Sequence, residues 1–121
     1  DRLDVGERSH FVLAPMLSEA LRRLLAWGVD TVADHTARLT SLAAAGAREL
    51  GFGSEPDAGR CSNIVGLQTP DGTDATQLAE ELDTRKVHVS RRGDALRIAP
   101  HLYNDEDDVE ALLEGLERAL R

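Results

Sequence analysis

The chain has 121 residues, enough for one modest hydrophobic core. Its 41% hydrophobic content lies in the globular range, and its net charge of -8 repels phosphate backbones and anionic lipid, which argues against nucleic-acid and membrane-surface partners. No apolar run is long enough to cross a bilayer, and one cysteine, Cys61, excludes an internal disulfide and fits a reducing, cytoplasmic setting.

Residues 1–10 carry little periodicity and read as an arm or linker. From Phe11 to Trp27, Leu13, Leu17, Ala20, Leu21, Leu24 and Leu25 recur at helical spacing. Pro15 is tolerated only near a helix start, and Gly28 ends the run. A second, longer helix follows, with Asp30 as its expected cap and helix formers from Ala33 to Leu50. Val29, Val32, Thr36, Leu39, Ala43, Gly46 and Leu50 draw one stripe along it, with small Ala43 and Gly46 admitting a close neighbour. Gly51 stops it.

Residues 51–62 have loop composition. Ile64-Val65-Gly66-Leu67 predicts a short buried strand, and Pro70-Asp71-Gly72 a turn. Asp74, three residues before Gln77, opens a helix whose apolar face is Ala75, Leu78 and Leu82. Val87 and Val89 alternate with His88 and Ser90 as a strand, Gly93-Asp94 turns the chain, and Leu96 and Ile98 alternate with Arg97 on the return. Asn104 is the expected cap of a last helix, with Asp105 to Asp108 at its positive end and Val109, Leu112, Leu113, Leu116 and Leu120 as its stripe. The expected architecture is α+β: two helices, then a small, mainly antiparallel sheet of about three strands with helices packed on one face, in a single domain over 1–121.

Few residues carry chemistry. His10, His35, His88 and His101 are scattered without metal-ligand spacing, so no metal site is expected, and a solvated or capping role is the reading for His35. Cys61 has no CxxC partner, no GxSxG elbow is present, and Gly51-Phe52-Gly53 lacks the third glycine of a dinucleotide fingerprint. Asp105 to Asp108 lack the ligand pattern of a calcium loop. Arg97 is the candidate binding residue. The alternation sends it to the face opposite Leu96 and Ile98, where its guanidinium can fork onto a carboxylate. Spacing alone leaves open an ordinary solvated arginine.

The run Leu96-Arg97-Ile98-Ala99-Pro100-His101-Leu102-Tyr103-Asn104, followed by an acidic helix start, resembles the closing segment of the class V aminotransferases, which are fold-type-I pyridoxal-phosphate enzymes. Arg2-Leu3-Asp4-Val5-Gly6-Glu7 is similar to that family's Arg-Phe-Glu-x-Gly segment, and Trp27-Gly28-Val29-Asp30, leading into His35-Thr36-Ala37-Arg38-Leu39, to its helix pair. The resemblance implies the small C-terminal domain of a larger enzyme, consistent with an opening at Asp1 without an initiating Met. It implies pyridoxal phosphate in the full-length protein, a large N-terminal domain, a homodimer, an amino-acid-like substrate, and Arg97 as its carboxylate-binding residue. The Schiff-base lysine belongs to the large domain of such enzymes. Lys86, the one lysine here, lacks its context, so no catalytic residue is expected in this chain and the fragment alone should be inactive. The family's desulfurases place a nucleophilic Cys on a loop ahead of the arginine strand. Here that connection is the short Arg91-Arg92-Gly93-Asp94 turn and Cys61 lies before the first strand, so desulfurase chemistry is not expected. The alternative to an enzyme domain is a stand-alone, non-catalytic module for small-molecule binding or dimerisation.

Overall fold

A computed structural model describes residues 11–56 and 58–121. The chain divides into two compact units, residues 1–31 and 32–121. In the first, helix α1 (Leu13–Trp27) carries Pro15 in its opening turn, where the missing N–H costs nothing. It ends at Gly28, whose φ of 83° suits glycine and whose N–H bonds Leu24 O at 3.1 Å. No residue of α1 is buried: Leu13, Met16, Leu17, Leu21 and Leu25 are all half or more exposed.

Helix α2 (Val29–Glu49) starts at once, with Asp30 inside its first turn and not at its cap. Its buried residues are Thr36, Leu39, Thr40, Ala43, Ala44 and Ala47, so the expected stripe meets the core at Thr36, Leu39 and Ala43, while Val32, Gly46 and Leu50 are half-buried and Val29 is exposed. Thr36 and Thr40 stay satisfied there. Both hydroxyls donate to carbonyls one turn back, and Thr40 Oγ1 also reaches Ser62 O at 3.0 Å.

The sheet has four strands in the order β1-β2-β4-β3, all antiparallel: β1 (Gly53–Ser54), β2 (Val65–Gln68), β3 (Ser90–Arg92) and β4 (Ala95–Ile98). The fourth strand, β1, is two residues long and lies in the segment whose composition reads as loop. β3 begins at Ser90, so Val87 and Val89 pack against the core from the segment before the strand.

Helix α3 (Ala75–Thr84) is capped by Asp74, which accepts from Thr76 N at 2.7 Å. Helix α4 (Glu106–Ala119) is capped by Asp105 in a closed capping box with Asp108. Asn104 is not that cap. Its side chain accepts from His101 N at 3.0 Å and donates to Asp108 at 2.9 Å, so it locks the turn before the helix.

One core joins Leu39, Ala43, Ala44 and Ala47 of α2, Val65 and Leu67 of β2, Leu78 and Leu82 of α3, Leu96 and Ile98 of β4, and Val109, Leu112 and Leu116 of α4. Two glycines permit the helices to close. A Cβ on Gly115 would come within 2.6 Å of Leu82, and one on Gly46 within 2.3 Å of Leu113. Among the described residues, α2, α3 and α4 pack against the sheet face that carries Val65, Leu67, Leu96 and Ile98.

Candidate functional site

Antiparallel pairing places partners on one face of a sheet, so the register defines what surrounds Arg97. Arg97 pairs with Gly66 of β2 on one side and Ser90 of β3 on the other. Leu96 and Ile98 are 0% and 9% exposed in the core, so Arg97, half-buried, lies on the face away from the helices. Gly53, Gln68 and Ala95 share that face with Gly66, Ser90 and Arg92. A Cβ at Gly66 would meet open space, so the β2 position paired with Arg97 presents bare backbone.

The hydrogen bonding of Arg97 is incomplete. Nη2 donates to Ser90 Oγ at 3.3 Å, and Nε is buried with no acceptor among the described residues. No carboxylate lies within ion-pair distance among the described residues, whereas Arg38 pairs with Glu106 and Arg85 with Glu81. A buried guanidinium N–H without a partner costs free energy comparable to a lost hydrogen bond. A carboxylate laid across the fork would recover it.

The segment after β4 is held firmly. Asn104 N donates to His101 O at 3.0 Å, closing the turn, and the Asn104 carbonyl lies 3.0 Å from His35 Nε2. His35, half-buried, therefore ties α2 to this turn. The Arg38–Glu106 ion pair adds a second tie between α2 and the start of α4. Tyr103 is 83% exposed, its ring 5.8 Å from that of His101.

The other candidates stand apart. Cys61 is exposed in the connection before β2, and the turn ahead of β4 is tight, with Gly93 at φ 61°. Among the described residues no cluster of His, Cys, Asp or Glu could hold a metal ion. Lys86 sits in the left-handed conformation (φ 64°) just past α3, beside a groove of about 380 Å³ that also takes in His88, Tyr103 and Asp108 but not Arg97. His88 holds Asp83 at 2.6 Å, both exposed. The Arg2–Glu7 segment lies outside the described residues. Ser90 and Gly66 escaped the sequence reading, because neither has meaning until the strand register is known.

No protein-family model and no curated protein matches the chain. Solved structures do. The cysteine desulfurase CsdA from Escherichia coli superposes with a TM-score of 0.75 at 22% identity, over 86% of this chain and 29% of that one. Alanine–glyoxylate aminotransferase from Nostoc sp. superposes with a TM-score of 0.73 at 19% identity, over 100% of this chain and 34% of that one. Ureidoglycine–glyoxylate aminotransferase from Bacillus subtilis gives 0.67 at 23%, over 84% and 28%. The chain thus spans about a third or less of the length of the structures it matches, and at these identities the likeness is one of fold. The shared fold is α+β, a small antiparallel sheet of four strands with helices, as in the matched part of these structures. Among the described residues no helix is long and apolar enough to cross a membrane.

Proposed function

We propose that this chain is the small domain of a pyridoxal-phosphate enzyme acting on an amino acid or a close relative, and that Arg97 holds the substrate carboxylate. The observation that carries the reading is Arg97 itself, half-buried on the sheet face opposite the core, with Nε lacking an acceptor among the described residues. Holding a carboxylate there would fix the substrate's orientation, which is what a bound cofactor needs of its partner domain. The fold, shared by a desulfurase and two aminotransferases, supports the class of enzyme and leaves the reaction open.

The described residues do not form a seat for the cofactor. Its aldehyde needs a lysine and its phosphate a cradle of donors. Lys86, the one lysine, closes α3 and lines a groove that Arg97 does not enter. The lysine and the cradle belong, on this reading, to a large domain of the same protein, and the active unit is a cytoplasmic homodimer. The exposed apolar side of α1 supports a covering partner of that kind, because contiguous apolar surface of this sort marks an interface.

The test is substrate binding to the full-length protein with Arg97→Ala and Arg97→Lys. Loss of a bidentate, charge-assisted pair costs about 1.5–3 kcal/mol, or roughly 10- to 100-fold in affinity. Lysine should recover only part of it, since an ammonium cannot fork. Equal affinity in all three proteins removes Arg97 from the site. The same apolar side of α1 also favours a second reading, a non-catalytic dimerisation or ligand-binding module. Calorimetry of this chain alone against amino acids separates the two: half a site binds very weakly, a complete module does not.

A further inference from the structure

Resting on that reading, we infer that the site is built for a substrate with two anionic groups, a short dicarboxylic acid or amino acid, with Arg92 receiving the second carboxylate. Arg92 pairs with Ala95, and Ser90 with Arg97, so the two arginines are diagonal neighbours on the same open face of the β3–β4 hairpin. Diagonal positions on an antiparallel pair lie about 7–8 Å apart. Two long arginine stems can therefore present their forks to the two ends of one small molecule.

The partners of these arginines support the assignment. Six other arginines (Arg22, Arg23, Arg38, Arg85, Arg118 and Arg121) are each paired with a glutamate. The hairpin differs. Among the described residues, Arg92 Nη1 reaches the carbonyl of Arg91, at 3.2 Å, and Arg97 Nη2 the Ser90 hydroxyl. Neither has a carboxylate partner among the described residues. In a chain of net charge -8, two cations on one face with no carboxylate partner among the described residues form a local field opposite in sign to the whole. Ala95, Ser90 and Gly66 around them are small, and a Cβ at Gly66 would meet open space. One carboxylate engages Arg97. A monoanionic substrate would leave Arg92 idle, and a dianionic one uses both.

The experiment measures binding of glutarate and of valerate, its one-carboxylate counterpart of equal chain length, to the full-length protein by calorimetry. The wild-type protein should prefer glutarate about 10-fold or more. Arg92→Ala should bring that preference close to unity and leave valerate affinity unchanged, Arg92→Lys should keep part of it, and Arg97→Ala should weaken both acids. No preference in the wild-type protein, or a preference that survives Arg92→Ala, overturns the assignment. The broader reading of Arg97 is judged separately, on valerate alone. If Arg97→Ala leaves valerate affinity intact, that reading falls and this one with it. If it lowers valerate affinity while Arg92→Ala spares the preference, only the second-carboxylate assignment falls. Arg92 is exposed, so its variants should unfold at the wild-type temperature, and a thermal melt checks this.

Discussion

Replacing Gly115 by Ala tests whether α3 and α4 meet at the distance the structure gives. An alanine methyl would sit 2.6 Å from Leu82 Cδ2 and 3.8 Å from Arg85 Cδ. Leu82 is fully buried, so it cannot swing clear into solvent. Overpacking of this kind costs about 1–3 kcal/mol. Against it stands the helix preference of Ala over Gly, about 1 kcal/mol. The net expectation is a loss of about 1 kcal/mol. Truncating the neighbour reverses the sign. Leu82→Ala alone should cost about 2–5 kcal/mol, and in that background Gly115→Ala keeps its helix gain, loses the clash and stabilises by about 1 kcal/mol. The coupling between the two sites is then about 2 kcal/mol. Urea unfolding of the four proteins, followed by circular dichroism, measures it as a double-mutant cycle. Additivity within about 0.5 kcal/mol would show that Gly115 does not set the approach of the two helices.

Two further predictions concern single residues. Lys86 pays for its positive φ, so Lys86→Gly should stabilise by about 1 kcal/mol and raise the thermal midpoint; a lowered midpoint would mean that its side chain contributes more than its backbone costs. Asp74 is held below the usual carboxylate range, chiefly by the Thr76 backbone N–H, then by the Thr76 hydroxyl, with Arg91 adding a smaller pull. Its folded pKa therefore lies below its unfolded one. The stabilisation is complete above about pH 4 and is lost as the pH falls through the folded value. Asp74→Asn, which still caps, should flatten the acid limb of a stability-against-pH curve, and an unchanged limb would refute the assignment.

Much of this architecture can be read from spacing. The helix pair broke at Gly28, where a positive φ is needed, and the hairpin at Gly93 for the same reason. The middle of the α2 stripe (Thr36, Leu39, Ala43) and Val109, Leu112 and Leu116 of α4 marked the core through their 3.6-residue period, while Val29 and Leu120 at the stripes' ends are exposed. What escaped the reading was decided by tertiary partners. β1 consists of Gly53 and Ser54, which have no strand preference and pair only because Gln68 and Leu67 lie alongside. Asn104 has the chemistry of a cap, yet Asp105 took the cap once Asp108 closed the box, and Asn104 turned back to His101. For the site, alternation alone placed Arg97 on the outer face. Its surroundings, Gly66 and Ser90, come from strands 31 and 7 residues away in sequence and carry no local signal.

The rims of the sheet are formed by strands of two and three residues. A stray polypeptide docking edgewise would find purchase for only a few backbone bonds, too little to hold it. Oligomers built by extending the ladder are therefore disfavoured, and self-association of this chain should proceed through side chains of its leading helix. That makes the habit of clumping, if an isolated preparation shows it, curable by polar replacements at Leu17 and Leu21 without touching a strand.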